Sequence, residues 1–508
     1  MKTSKQRKIG AILSYISIVA NTVVQLIYTP FLVSKLGQSE YGLYSLVSSI
    51  IGYLTVLDLG FGNAIIVHTA KYRATGETEK EKALHGMFRM VYILIGLIAA
   101  AIGLMMSINA SSLFGSSMVA EDVKKMKIML MILSLNLFLT FSFSIYSSII
   151  TASEKFVYQK LVSIISTIIK PLLMIPILFM GYKSVALCMI ITLVNITVLI
   201  TNYIYCKKKL KISIKYQGFD KSIFKVIFGY SFYIFLTQIV DQVNWHADQF
   251  ILGITSGTIA VAVYSAASQI NAMFINLSTA ISSIMLPKVS KMVAKKASSE
   301  ELTNEMIKVG RIQFMLIFLV TSGFVLLGKE FIKMWLGDGF NESYIVTLLL
   351  IIPTMLPLIQ NTGLSIMQAM NKYKFKAITT SIMAVFNIIL SIFLAKAYGA
   401  IGAAVGTTIA IIICNVIMIN IYYKKEIKLN IMKFWANIFW MAVKFLIPIS
   451  LIVVTIYYTQ LKGWEAILLY GTLYTIAYLT TAYCLVMNKY ERHLVDSFFN
   501  KIPKKGKR

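Results

Sequence analysis

Charge is what this chain has least of. Only 14% of its 508 residues are Asp, Glu, Lys or Arg, where a soluble protein carries roughly a quarter. A soluble fold would need an almost wholly apolar surface, so that class is excluded. Acidic residues are scarcer still, 21 against 49 Lys and Arg, and histidine and cysteine number four each. Cys188, Cys206, Cys414 and Cys484 all fall within or at the ends of apolar runs, with no CxxC pair. Neither a disulfide framework nor a thiolate metal site is therefore encoded. Long polar stretches are absent too, which leaves no room for a soluble catalytic or ligand-binding domain. The function must reside in the apolar part.

That part dominates: 57% of the residues are hydrophobic and the mean hydropathy is +0.74. A helix needs about 20 mainly apolar residues to cross a bilayer. The pattern predicts an all-α polytopic membrane protein with about fourteen transmembrane helices. They lie near 9–33, 41–66, 87–107, 127–150, 160–181, 184–206, 223–253, 257–283, 308–328, 344–370, 375–395, 400–424, 437–458 and 464–487. The first follows a basic segment as a signal peptide would, but it is long and lacks a small-residue cleavage site, so it should be retained.

The net charge of +28 follows the topology. Most basic residues lie in loops on the N-terminal side of the membrane, including KTSKQRK, AKYRATGETEKEK, KKKLKISIK and the tail KIPKKGKR. The opposite loops hold eight, all lysine: Lys35, Lys124, Lys125, Lys183, Lys329, Lys333, Lys396 and Lys462. Lysine and arginine accumulate in cytoplasmic loops. Both termini are thus predicted inside a plasma (cytoplasmic) membrane. Nucleic-acid binding is not predicted, because no basic stripe with interleaved aromatics lies outside the spans.

A weak internal repeat is visible. FLVSKLGQSEYGLYSLVSS joins spans one and two, and FILGITSGTIAVAVYSAASQ joins spans seven and eight. Each places a short Gly-containing turn before a Tyr-Ser pair, Tyr44-Ser45 and Tyr264-Ser265. Pairing span one with span seven predicts two pseudo-symmetric six-helix lobes, 1–210 and 211–430, around a central cavity. Residues 431–508 add two helices and a basic tail. Parallel repeats of this kind occur in transporters.

Polar residues inside the spans mark candidate sites. Ser14, Ser17, Asn21, Gln25 and Tyr28 recur every three or four residues, which is one helical stripe. Thr237, Asp241, Asn244 and Asp248 form another in DQVNWHADQ, with the two aspartates about 20° apart around the helix. Ser265, Ser268, Gln269 and Asn276 continue it into span eight. Ionised groups within a membrane face the bundle interior or water and mark a pathway by default. The alternative is that the neutral members hold helices together, at about 0.6 kcal/mol each. His246 lies about 140° from Asp241, so the two cannot chelate one metal; an interhelical hydrogen bond is expected instead.

Lys170 sits near the middle of span five, before Pro171 and Pro176, where a kink is expected. It needs an anion: Asp58 or Asp241 as a structural partner, or a phosphate as a ligand. Asp58, just before GFG, reads either as a partner of Arg73 or Arg89 or as a lumenal carboxylate. Arg89 and Arg311, at cytoplasmic span ends, are candidate contacts for a lipid headgroup, and Lys444 is expected to snorkel.

LGQSEYGLYSLV, followed by VLDLGFGNAIIVHTAKYRATGETEKEKA, resembles the N-terminal signature of the Wzx-type oligosaccharide flippases. These form the polysaccharide transporter branch of the multidrug/oligosaccharidyl-lipid/polysaccharide superfamily. ADQFILG with the later Val-x-x-Tyr-Ser fits the second lobe of the same family. The resemblance implies a V-shaped bundle that moves a polyprenyl-diphosphate-linked oligosaccharide to the outer leaflet for cell-surface polysaccharide biosynthesis, with cavity cations meeting the diphosphate. The chain departs from that picture: its cavity cations reduce to Lys170 and the span-end arginines, and several acids are present. Asn21, Gln25, Lys170, Asp241, Asn244, Asp248 and Gln269 are the expected cavity lining. Asp58, Asp241 and Asp248 are candidates for coupling by H+ or Na+, and no cofactor is expected. Polysaccharide polymerase and glycosyltransferases of the same pathway are the expected partners, beside membrane lipid. Two other functions are weighed. An ion-coupled multidrug antiporter of the same superfamily would use the acidic pair. A membrane glycosyltransferase or polymerase would need a nucleophile–base pair, which no outer loop supplies.

Overall fold

Each apolar run becomes a helix, because a backbone in hydrocarbon must satisfy its hydrogen bonds within its own segment. The computed structural model describes residues 3–216, 218–282 and 285–500, and every regular element among them is helical. The basic tail lies outside the described residues. In chain order the first helices are α1 (Thr3–Leu36), α2 (Gln38–Leu54), α3 (Phe61–Thr75), α4 (Thr78–Ile108) and α5 (Ala110–Phe114). Then come α6 (Ala120–Ala152), α7 (Phe156–Phe179), α8 (Ser184–Ile204), α9 (Lys221–Thr255) and α10 (Gly257–Ser282). Next are α11 (Met285–Ala294), α12 (Ser299–Leu336), α13 (Asn341–Leu358), α14 (Asn361–Ala369) and α15 (Lys374–Ala410). The last are α16 (Ile419–Lys425), α17 (Ile431–Thr459), α18 (Gly463–Thr481) and α19 (Lys489–Asn500).

Among the described residues, twelve helical stretches are long and apolar enough to cross a membrane, against the fourteen expected. The difference falls at two places. The runs expected at 375–395 and 400–424 form one 52-residue stretch, Lys374–Lys425. Its helical path is interrupted at Gly399 (φ 55°, ψ −135°), in a region natural to glycine. Straight, those residues would reach about 78 Å, more than twice a hydrocarbon core. The second place is α9, a single 35-residue helix over the run expected at 223–253, which is not counted among the twelve because side chains in part of it lie outside the described residues.

By packing, the chain separates into two compact units. One comprises Met1–Ser265 with Ala395–Ala400, the other Ala266–Leu394 with Ile401–Arg508. In the first unit α6 packs along α4 and α8, α7 along α1, and α9 against α2 and α3. Its core joins Phe61, Phe88, Tyr92, Phe141, Ile145 and Ile149. The rings of Phe61 and Phe88 meet edge to face at 5.3 Å, the arrangement favoured by aromatic quadrupoles.

The second unit is built around the aromatic face of α18. Tyr470, Tyr474 and Tyr478 recur every four residues, so they share one face, and all are buried. A buried phenol needs a hydrogen-bond partner. Tyr478 donates to the Met315 carbonyl (2.8 Å), Tyr474 shares a hydrogen with Ser322 (2.5 Å), and Tyr470 accepts from the Leu461 amide (3.0 Å). The ring of Tyr478 also stacks on Phe445 of α17, 4.0 Å between centroids.

The two repeat turns each turn on a glycine with positive φ. Gly37 and Gly257 both hold φ at 81°, and each stands seven residues before the Tyr of its Tyr-Ser pair. Fixing this register sets a repeat offset of 220 residues. Gly42 then corresponds to Ala262, and these two meet: an ideal Cβ on Gly42 would lie 3.1 Å from the Ala262 nitrogen and 1.8 Å from the Thr258 carbonyl oxygen. One helix of each repeat thus crosses the other at a position only glycine fits. Beside it the Ser39 hydroxyl donates to Asp122 (2.9 Å) and lies 2.7 Å from the Thr258 hydroxyl.

Candidate functional site

The stripe on α1 has Asn21 on the exposed surface and Gln25 and Tyr28 half-buried. Tyr28 donates to the Met174 sulfur of α7 at 3.0 Å. Lys170 is one turn before Met174 on the same face of α7, so the α1 stripe and the lysine share the α1–α7 seam. α7 runs unbroken from Phe156 to Phe179 with Pro171 and Pro176 inside it. Pro171 has no N–H to give the Thr167 carbonyl, which is one helical bond missing beside Lys170. At 1.5 Å per residue, Lys170 lies about 21 Å from one end of α7 and about 14 Å from the other. Half-buried, it forms no ion pair or hydrogen bond among the described residues. Its two expected structural partners do not reach it.

One of those partners, Asp58, is committed elsewhere. The DLGFGNA block is a turn that divides the run expected as one helix over 41–66 into α2 and α3. Leu59 (φ 53°) and Gly60 (φ 71°) are both left-handed there. The Asp58 carboxylate accepts the Tyr92 hydroxyl at 2.9 Å and the backbone N–H groups of Gly60 and Gly62, which closes the turn over the start of α3. Arg73, proposed above as its partner, instead pairs with Glu81 (2.7 Å) and donates to Ser153 (2.5 Å). Asp58 is thus placed as a turn-forming carboxylate.

On α9 the two aspartates have different surroundings. Asp241 is exposed, while Asp248 is 3% exposed and accepts the hydroxyl of Tyr264 from α10. Asp248 therefore closes the α9–α10 hairpin, and Asp241 is the carboxylate of the pair that reaches the surface. Between them Asn244 holds a buried side-chain carbonyl oxygen that receives no hydrogen bond among the described residues. Gln238 and Gln242 do the same. Buried acceptors are normally met by protein, water or a ligand, so these amides mark residues 238–244 of α9 as a polar stretch. His246 packs beside Gly52 and the edge of Tyr53, 6.0 Å between rings.

Gln269 is half-buried on α10, within the second unit, and Arg89 is exposed on α4. Arg311 has a protein partner that the sequence reading did not foresee. Its Nε and Nη2 fork onto the two oxygens of Glu491 in α19 at 2.6 and 2.8 Å. Lys444 donates to the Leu485 carbonyl at 2.9 Å.

Two further features were missed. Glu40, 5% exposed at the start of α2, takes Lys125 of α6 at 2.5 Å and the Ser184 hydroxyl of α8, so it ties three helix N-termini together. It stands in the SEYG of the repeat turn, where Ala260 occupies the corresponding place, and that asymmetry was visible in the sequence. The repeat offset also pairs Asn21 with Asp241 and Tyr28 with Asp248, which a residue-by-residue alignment of the two turns would have exposed.

A polytopic helical bundle with polar seams is an architecture of membrane transport proteins, and comparison with known proteins agrees. The chain is similar to a lipid II flippase, MurJ, in its inward closed conformation (TM-score 0.72, 19% identity), across 96% of this chain and 99% of that one. It is also similar to an inward-facing multidrug resistance MATE family transporter of the MOP superfamily (TM-score 0.65, 14% identity), over 79% and 96%. At these identities the likeness is one of fold. In sequence it is 24% identical over 391 residues to a putative O-antigen transporter of Shigella flexneri, covering 75% of this chain and 90% of that protein. Residues 32–346 match the polysaccharide biosynthesis protein family, and the chain belongs to that family.

Proposed function

We propose that this protein is a flippase that carries a polyprenyl-diphosphate-linked oligosaccharide from the cytoplasmic to the outer leaflet, by alternating access between lobes 1–210 and 211–430. Both termini lie on the cytoplasmic side of the plasma membrane in this reading, in keeping with the basic loops. Diphosphate and sugar cannot cross hydrocarbon unaided, because each polar group would lose its hydrogen bonds to water. A polar seam lowers that barrier with no bond made or broken.

The observation that carries the reading is Lys170, a cation deep in α7 that no carboxylate of the described residues neutralises, next to the amide stripe of α1. A diphosphate would supply its counter-charge, and Asn21, Gln25 and Asn244 offer amides to hydroxyl groups of a sugar. Membership of a polysaccharide biosynthesis family and the flippase fold support the cargo class. Asp241, exposed on α9, is the carboxylate we assign to coupling by H+ or Na+. Polymerase and glycosyltransferases of the pathway would hand cargo on and supply it.

The test is a cell in which the gene is deleted. Lipid-linked oligosaccharide should accumulate on the cytoplasmic leaflet, and the wild-type chain should clear it. Unchanged leaflet distribution in the deletion strain would remove the proposal.

A further inference from the structure

The second unit holds a cation-lined recess that the translocation reading leaves unused. Asn437, Trp440, Met441 and Lys444 of α17 face Arg311 of α12 and Val486, which ends the π-helical turn after α18, around a cavity of about 250 Å3. Apart from the Asn437 amide, its polar side-chain lining consists of donors. Arg311 commits Nε and Nη2 to Glu491 and the Val486 carbonyl, while Nη1 makes no bond among the described residues. Lys444 donates to one carbonyl, which leaves two N–H groups, and the Trp440 indole N–H is unbonded among the described residues. No carboxylate of the described residues lines the recess. Glu491 is 2% exposed and is held by Arg311 and the Asn488 amide. Convergent donors with two cationic groups and no lining acceptor side chain except the Asn437 amide fit an oxyanion, and best a phosphate.

The surroundings say where that phosphate comes from. Val486 is the last residue of the membrane-crossing stretch Gly463–Val486, so the recess is level with the edge of the hydrocarbon. Trp440 (63% exposed) opens onto the outer flank of α17, which continues along Phe439, Leu446 and Ile447, all exposed. Indole rings gather at this depth, and an exposed apolar flank accommodates acyl chains. A phosphate arriving here carries a lipid tail.

We infer that this recess binds the phosphate of an anionic phospholipid in the leaflet at the C-terminal end of α18, and that the bound headgroup braces α12, α17 and α19. α19 is already tied in by Arg311–Glu491 and by Lys308, which stands 3.6 Å over the Tyr490 ring. Only the name of that leaflet, cytoplasmic, rests on the orientation proposed above; binding does not.

The experiment is native mass spectrometry of the full-length protein in neutral detergent, titrated with phosphatidylglycerol or phosphatidylcholine. Phosphatidylglycerol should bind at least about tenfold tighter. Lys444→Gln should weaken it about tenfold, the scale of one charge-assisted hydrogen bond, and Lys444→Arg should restore it. Trp440→Leu, at an exposed position, should weaken it severalfold, and serves should Lys444→Gln fail to fold. Competition identifies the source: millimolar inorganic phosphate and equimolar polyprenyl diphosphate should both leave phosphatidylglycerol bound. Equal binding of the two phospholipids, wild-type affinity in both variants, or displacement by either competitor overturns the inference. Translocation is not read in this assay, so its failure is separate from any failure of the flippase proposal.

Discussion

Replacing Lys170 with methionine should move stability and transport in opposite directions. Lysine near the centre of a membrane helix disfavours insertion by about 2.5–3.5 kcal/mol on insertion scales. In this protein no ion pair among the described residues returns any of that cost. Lys170→Met keeps a long unbranched side chain and removes the charge. The variant should therefore insert at least as well as wild type and unfold at the same or a higher temperature in detergent. Cargo loses a charge-assisted hydrogen bond worth about 1.5–3 kcal/mol, so its apparent affinity should fall by about 10- to 150-fold. Lys170→Arg should retain most of it. The assay pairs thermal unfolding of purified protein with a titration of labelled polyprenyl-diphosphate oligosaccharide. A variant that unfolds earlier and binds weakly would make the lysine structural. One that binds as wild type would refute the phosphate contact.

Other positions follow from packing and hydrogen bonding. Gly42→Ala puts a methyl 1.8 Å from the Thr258 carbonyl oxygen, so α2 and α10 must part; a loss of about 1–3 kcal/mol should appear as a lower unfolding temperature, and an unchanged one would contradict the close crossing. Lys125→Met strips Glu40 of its cation and should cost about 1–3 kcal/mol, with Glu40→Gln in the same chain recovering part of it. Tyr264→Phe leaves Asp248 buried without its phenol donor, so its effect should fall on stability, while Asp241→Asn should alter the ion dependence of transport at unchanged stability. Equal effects of these last two on stability would sink the separate roles given to the two aspartates.

Helices were legible because their signal is local: twenty apolar residues in a membrane have few other options. Within the stretch Lys374–Lys425 the break was legible as well, since the helical path is interrupted at Gly399, between the runs expected at 375–395 and 400–424; its torsions were not. Polar stripes were legible as periodicity, and Tyr28 against Met174 locates one of them on a seam. Partners were not legible. The spacing of Asp241 and Asp248 gave both one face, yet Tyr264, sixteen residues beyond Asp248, gave only Asp248 a burial site. Arg311 found Glu491 180 positions away, and no local pattern predicts such a pair. The partners of Asp58 were hidden for a related reason: its turn is made by left-handed Leu59 and Gly60, and leucine rarely signals such a conformation.

The most direct measurement is translocation itself. Purified protein would be placed in sealed vesicles with a fluorescent polyprenyl-diphosphate oligosaccharide in both leaflets, and a membrane-impermeant quencher added outside. The account predicts that quenching passes beyond the half accessible in protein-free vesicles and approaches completion with wild type, and much more slowly with Lys170→Met. Quenching that stops at half with active, correctly folded wild-type protein would contradict it.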